Sequence, residues 1–279
     1  MKPEAVEQPP AAAAVGRRRE VPSVPLWAVL PGGLSLLFLV GPVVGLLRSA
    51  GWSDFWSDIT RPESLEALRL SLVASLAAVL VVVALGLPLA WTLARVGFPG
   101  RKLARALVVL PMVMPPVVGG VALLSALGRD SPVGGWLYDT LGIQFTFSTA
   151  GVVLAEAFVA MPFFVLTVEA ALRSSGRQHE ELASTLGAAP WTVMWRVTIP
   201  RALPAIAAGA VLAWARALGE FGATITFAGN IAGRTRTLPL AVYLGLDADP
   251  GGAVSLSIVL LVVSLVVLVG LRDGWLVRA

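Results

Sequence analysis

The chain has 279 residues, of which 57% are hydrophobic and 14% are charged, and its mean hydropathy is +0.82. A soluble core cannot bury this much apolar surface, so the composition predicts an integral membrane protein. The lack of cysteine excludes disulfides and thiolate chemistry, and the single histidine, His179, excludes a histidine-based metal site. The net charge of +4 does not indicate a nucleic-acid partner, because the positive-inside rule accounts for basic residues in a membrane protein.

Long apolar runs predict an all-α, polytopic membrane domain over residues 26–279 with about six transmembrane helices. Residues 1–25 are rich in proline and alanine and lack periodicity, which predicts a mobile cytoplasmic tail. The first run is too long for a signal-peptide core, although its preceding arginines leave a twin-arginine export signal as an alternative. Each run is long enough to cross a bilayer of roughly 30 Å. The predicted spans are 26–47, 70–94, 106–128, about 148–172, about 202–227 and about 253–271.

The third predicted span contains a proline cluster, Pro111, Pro115 and Pro116. Proline removes a backbone donor, so this helix should kink or break, which membranes tolerate only where protein or a cavity satisfies the freed groups. We expect the cluster to lie near a transport path, and a purely structural kink is the alternative.

Charge asymmetry predicts the orientation. With the N-terminus inside, Lys and Arg number 14 in the inner segments and 6 in the outer ones. By the positive-inside rule, both termini and the polar segment 173–204 should face the cytoplasm.

Segment 173–204 is polar and lies between two long apolar runs. Good helix formers precede Gly187, which suits a helix end, and Pro190 can open a second helix. The pattern predicts two short helices with a bend between them. Four residues then fall at helical spacing on one side of the second helix: Trp191, Met194, Trp195 and Thr198.

The same segment resembles the "EAA" loop of ABC importer permeases. Glu181-Leu182-Ala183, Gly187, Val197, Ile199 and Pro200 match its offsets, with conservative departures at three positions: 182, 197 and 199. The resemblance implies the type I permease fold and a coupling helix that seats on an ATP-hydrolysing subunit. An amphipathic loop that only covers helix ends is the alternative. The coupling residues implied are Glu180, Glu181, Ala183, Gly187, Ala188 and Pro200.

Arg216 and Glu220 are charged residues within the fifth predicted span, four positions apart, so they share a helix face. Charges inside a membrane are costly and usually face the protein interior or a water-filled path. The pair indicates either mutual neutralisation that fixes helix packing or contact of Arg216 with a passing anion. Glu156 is a third intramembrane charge, and a salt bridge from it to Arg216 is a further option.

The run from Arg216 to Phe227, with Gly229-Asn230 and Arg236-Thr237-Leu238-Pro239-Leu240, resembles the molybdate branch of the importer permeases. Sulfate permeases are similar in this stretch. The resemblance implies an oxyanion, molybdate or tungstate, and a path along the fifth span. Small residues here also suit close helix packing. The path candidates are Arg216, Gly219, Glu220, Gly222 and Thr224.

Catalytic motifs are lacking. The lysines, Lys2 and Lys102, stand outside any phosphate-binding pattern, and Ala183 occupies the second histidine position of a zincin motif. We therefore expect no catalytic residue, metal or cofactor on this chain, with ATP and Mg²⁺ on a partner subunit. The partners that the resemblance implies are an ATP-binding cassette subunit, a periplasmic or lipoprotein substrate-binding protein, a second copy of the chain, and membrane lipid. The alternatives are an ATP-independent secondary transporter and a membrane-embedded enzyme.

Overall fold

The structure, a computed structural model, describes residues 26–275, and the predicted tail 1–25 lies outside the described residues. Within that range the chain is helical and contains no strand. The helices are α1 Leu26–Arg48, α2 Phe55–Ile59, α3 Pro62–Arg95, α4 Arg101–Val113, α5 Pro116–Leu127, α6 Pro132–Leu141, α7 Thr149–Ser174, α8 Gln178–Thr185, α9 Pro190–Val193, α10 Ile199–Leu218, α11 Gly222–Phe227, α12 Leu238–Ala248 and α13 Pro250–Trp275.

The described chain divides into two units between Gly45 and Leu46, so that α1 falls mainly in the first and all later helices in the second. Five stretches are long and apolar enough to cross a membrane, and the bent pair α4–α5 makes a sixth if it counts as one span. The prediction of an all-α fold with about six spans is confirmed. The five stretches are Val29–Arg48, Pro62–Arg95, Thr149–Ser174, Pro190–Leu218 and Pro250–Val267.

The third predicted span is broken at its prolines, as the sequence predicts. Helix α4 ends at Val113, α5 begins at Pro116, and the two helices are bent by 120° relative to each other. Pro116 occupies the first turn of α5, where the missing N–H costs no intrahelical bond.

The fifth predicted span differs from the expectation of one helix over residues 202–227. A single helical stretch begins earlier, at Pro190, and ends at Leu218, and a short second helix follows from Gly222. The predicted short second helix of segment 173–204 is therefore not separate but is the first part of this span. The break at residues 219–221 has no proline, so residue type alone did not reveal it.

Helices α3, α7 and α10 form the core of the second unit, and they approach closely because small residues line their contacts. The ring of Phe164 on α7 lies between two glycines. A Cβ added at Gly86 would stand 2.8 Å from Phe164 Cδ1, and one added at Gly209 would stand 3.2 Å from Phe164 Cδ2. The two glycines thus provide the space that this buried ring occupies.

The two helices that follow the breaks, α5 and α11, pack against each other through glycines. A Cβ on Gly120 would lie 2.6 Å from Thr226 Cβ, and a Cβ on Gly222 would lie 2.8 Å from Pro116 Cβ. Both broken spans are therefore joined at the point where each resumes.

Candidate functional site

Helix α8 ends in a Schellman motif, which explains the spacing of three residues that the resemblance implies for the coupling loop: Ala183, Gly187 and Ala188. The N–H of Gly187 donates to the Ser184 carbonyl at 3.0 Å, and the N–H of Ala188 donates to the Ala183 carbonyl at 3.1 Å. Gly187 has φ +85°, a conformation that L side chains rarely adopt. A Cβ at Gly187 would meet nothing within 4 Å, so the backbone angle, rather than lack of space, requires glycine.

Glu180 holds α8 against the rest of the fold. Its Oε1 lies 3.0 Å from Arg95 Nη2 at the end of α3, and it accepts a hydrogen bond from Thr198 Oγ1 at 3.0 Å. Arg95 also donates to the Gly176 carbonyl at 2.8 Å, and the Arg177 guanidinium donates to the Arg95 carbonyl. Since the Arg95 side chain is only 7% exposed, this is a buried anchor between the polar segment and two spans.

The outer face of α8 is free within the described residues. Glu181 is exposed, and no ion pair or side-chain hydrogen bond engages it there. Leu182 is 62% exposed and Leu186 is 81% exposed. An acidic side chain therefore stands beside two uncovered leucines, and exposed apolar groups of this kind suit contact with another protein or with lipid. We call α8 and the turn that follows it, residues 178–189, the α8 knob.

A tryptophan-lined groove follows the α8 knob. The rings of Trp191 and Trp195 meet edge to face with centroids 5.4 Å apart. With Met194 and Thr198 they line a cavity of about 730 Å³ that reaches Pro88 and Thr92 of α3. A neighbouring cleft beside His179 has a volume of about 430 Å³. The prediction that Trp191, Met194, Trp195 and Thr198 share one side is confirmed.

Pro200 lies in the second position of α10, directly after a π-helical turn over Met194–Thr198. Proline has no N–H to give to the carbonyl four residues earlier, and its ring crowds that carbonyl. The wider turn, in which the N–H of Ile199 bonds to the Met194 carbonyl, lets the helix continue past the proline. Pro190–Leu218 therefore remains one helical stretch.

At the far end of that stretch, Glu220 connects the two helices on either side of the break in the fifth span. Its Oε2 lies 2.7 Å from Arg216 Nη2, and its Oε1 accepts a hydrogen bond from the Ala223 N–H at 2.9 Å. The carboxylate thus neutralises the arginine and caps the start of α11, where backbone donors have no helical partner. Glu220 is 1% exposed, so its carboxylate is buried, whereas the Arg216 side chain is 28% exposed. The geometry favours the interpretation of a pair that fixes helix packing.

The other path candidates differ in exposure. Gly219 is exposed, whereas Gly222 is buried against α5 and Thr224 is fully buried. Thr224 Oγ1 has no hydrogen-bond partner within the described part of the chain. In this conformation Gly219 and the partly exposed Arg216 are the members of the set that reach a surface, and the path role of all five residues stays a prediction.

Several structural partners were missed by the sequence analysis. Glu169, 3% exposed, is paired with Arg105 of α4 and lies 3.6 Å from Arg173, which ties the broken third span to α7. Arg95, Arg105 and Glu169 were visible as charges at the edges of apolar runs, but their pairing depends on tertiary contacts.

At the end of α3 remote from Arg95, a second charged cluster joins three elements. Arg61 lies 2.8 Å from Asp58 and also pairs with Asp249, and the buried Asp58 accepts a hydrogen bond from Ser255 at 2.8 Å. The N–H of Gly252 and the Arg61 side chain hold the pKa of the Asp249 carboxyl below its usual value. No group of three or more potential metal ligands occurs in the described residues.

The fold is that of a multi-pass membrane protein of the ABC transporter permease type. A crystal structure of a bacterial alginate ABC transporter, in complex with an alginate-bound periplasmic protein, contains a chain with the same fold, at a TM-score of 0.72 and 22% identity over 89% of this chain and 92% of that one. The chain belongs to the family of binding-protein-dependent transport system inner membrane components, whose profile matches residues 83–279.

Two curated relatives are similar to this chain over most of its length. The molybdenum transport system permease protein ModB of Mycobacterium tuberculosis is 47% identical over 247 residues, covering 88% of this chain and 93% of its own. The sulfate transport system permease protein CysT of Escherichia coli is 37% identical over 253 residues, covering 86% and 91%. Both similarities span most of the chain, and the identity to the molybdenum protein is higher.

Proposed function

We propose that this chain is the permease subunit of an ATP-driven oxyanion importer that moves molybdate, or tungstate, across the bacterial inner membrane. It works as two copies around a central path, each seated on an ATP-binding cassette subunit, with a periplasmic or lipoprotein binding protein delivering the ion. The higher identity to the molybdenum protein than to the sulfate protein supports the choice of ion. A sulfate or thiosulfate importer is the second candidate, supported by the sulfate relative.

The observation that supports the proposal is that one continuous helical stretch joins the α8 knob to the Arg216–Glu220 pair. The exposed α8 knob leads into the helical stretch Pro190–Leu218, and that stretch ends at the Arg216–Glu220 pair. A push on the α8 knob therefore acts on one helical stretch whose far end is the break at residues 219–221, where α10 has ended and α11 has not begun. Glu180 transmits the same movement to α3 through Arg95.

The proposed orientation puts both termini and the α8 knob in the cytoplasm. The excess of Lys and Arg in the inner segments supports it. ATP-driven closure of the partner subunits then draws the two knobs together, and the path turns outward. The ATP and Mg²⁺ belong to the partner, because this sequence carries no phosphate-binding loop.

Reconstitution tests the proposal. The chain, its ATP-binding cassette subunit and its binding protein are placed in liposomes, and ATP turnover is measured with molybdate, tungstate, sulfate or no oxyanion. We expect molybdate or tungstate to stimulate turnover and to be accumulated. Stimulation by sulfate alone supports the second candidate, and uptake without ATP contradicts both.

A further inference from the structure

Glu156 is a buried acid that the proposed function does not use. It lies within the membrane-spanning helix α7, is 1% exposed, and its Oε2 has no hydrogen-bond partner within the described residues. Glu156 forms no ion pair within the described residues either. Arg216, its candidate partner from the sequence, is paired with Glu220 instead. The option of a Glu156–Arg216 salt bridge is therefore wrong for this conformation.

The surroundings of Glu156 contain one negative charge and no free positive one. The helices that pack most closely on α7 are α3, α4, α5, α10 and α11. Helix α3 is uncharged over residues 70–94, and α5 and α11 contain no charged residue. Arg105 of α4 is paired with Glu169, thirteen positions further along α7. Helix α10 carries Arg201 near its start and Arg216 in its last turn.

Ala155 and Val159, which flank Glu156 on α7, pack in one cluster with Ala223, whose N–H donates to Glu220. Glu220 is thus the charged neighbour that matters. Its own charge is compensated by Arg216 and by the Ala223 N–H, so nothing remains to compensate a second carboxylate. An ionised carboxyl without a partner is strongly unfavourable in a buried site, and two adjacent carboxylates with one counter-ion do not both ionise.

We propose that Glu156 is a proton-binding site whose occupancy is coupled to the Arg216–Glu220 pair. Glu156 is protonated, and therefore neutral, while Arg216 is paired with Glu220. Opening of the break at residues 219–221 admits water, and Arg216 then changes its partner from Glu220 to Glu156. The proton passes from Glu156 through that water to Glu220, so that one of the two carboxyls stays neutral. The inference does not depend on the identity of the transported ion.

Infrared spectroscopy of the purified full chain tests the proposal directly. A protonated carboxyl in an apolar site has a carbonyl-stretch band separate from that of ionised carboxylates. We expect this band near neutral pH in the wild type and its loss in Glu156→Gln. We also expect its loss in Glu220→Gln, because the freed Arg216 can then neutralise Glu156. A wild type without the band, or one that is unchanged in Glu156→Gln, overturns the site, and persistence of the band in Glu220→Gln overturns the coupling.

A stability measurement provides an independent readout. The folded chain holds a proton that the unfolded chain releases at neutral pH, so raising the pH from about 5 to about 8 should lower the thermal midpoint of the wild type relative to Glu156→Gln. Glutamine replaces a neutral acid without adding a charge, so this variant should fold as well as the wild type. Failure of Glu156→Gln to fold, or an unchanged pH dependence, shows that the carboxylate form is needed and contradicts the proposal.

Discussion

The α8 knob and the break in the fifth span lie at opposite ends of one helical stretch. A helix end at each place has unpaired backbone groups, and different kinds of group satisfy them. At the knob, backbone groups close the helix end through the left-handed Gly187, and the leucine side chains stay uncovered. At the break, the buried carboxylate of Glu220 closes the start of α11, and its charge is compensated internally. The first end therefore leaves apolar side chains uncovered, as our proposal of a docking surface requires, and the second end compensates its charges within the fold.

Removal of the carboxylate at the break should have the largest effect. Glu220→Ala leaves Arg216 without its partner and the Ala223 N–H without its cap. We expect a loss of about 3 kcal/mol in the free energy of unfolding, the low end for a buried pair, because the Arg216 side chain is 28% exposed. Denaturation in detergent measures this loss. The double variant Arg216→Met with Glu220→Leu is the control, and it should lose less than Glu220→Ala alone because it leaves no unpaired charge. Equal stability of Glu220→Ala and the wild type would show that the pair does not hold the break together.

Gly187 provides the next test, which separates backbone angle from size. Gly187→Val should distort the Schellman turn at a cost of about 1–3 kcal/mol and weaken binding of the ATPase subunit, because φ +85° is strained for a β-branched residue. Gly187→Asn should bind nearly normally, since asparagine tolerates the left-handed conformation.

Gly97→Ala is the matched control for Gly187. Gly97 also has open space around its Cβ position, but its φ is not in the left-handed region, so alanine should be accepted. Binding of the ATPase subunit is measured with each purified variant. If Gly187→Val binds as well as Gly187→Asn, the turn geometry is not what presents the knob.

The exposed face of α8 should contribute to binding more than to folding. Leu186→Asp should change the free energy of unfolding by about 0.5 kcal/mol or less, because the side chain is 81% exposed. It should weaken the complex with the ATPase subunit by roughly tenfold or more, as expected for a central apolar contact. Leu141→Asp, at the exposed end of α6, is the control that should leave binding unchanged. Equal binding by both variants would remove Leu186 from the interface.

The smallest effect is expected at the Arg61–Asp249 pair. The folded chain holds the pKa of Asp249 below its unfolded value, so the stabilisation is present above the unfolded pKa and is lost as the pH falls through the folded pKa. Asp249→Asn should therefore remove a small part of the acid sensitivity of unfolding. Thermal midpoints across an acidic pH series measure this, and a variant with the wild-type pH profile would show that the pair contributes nothing.

Features of the two ends that depend on local backbone preferences could be predicted from the sequence, and those that depend on contacts between distant segments could not. Gly187, Pro190 and Pro200 act through their own backbones, so their spacing predicted α8, its turn and the start of the next helix. The break at 219–221 was missed because Arg216 and Glu220 at a spacing of four look like one helical turn. Glu180, Arg95 and Thr198 meet across three segments, and no local pattern predicts such a contact. The proline break between α4 and α5 was predictable because proline acts locally.

The most direct test of the account uses the absence of cysteine from the chain. A single Leu186→Cys variant is treated with a membrane-impermeant thiol reagent in intact cells and in inverted membrane vesicles, with and without the ATPase subunit. We expect labelling only in inverted vesicles, and protection when the ATPase subunit is bound. Labelling from outside intact cells, or labelling that the bound ATPase subunit does not reduce, would contradict the claim that the α8 knob is the cytoplasmic docking surface.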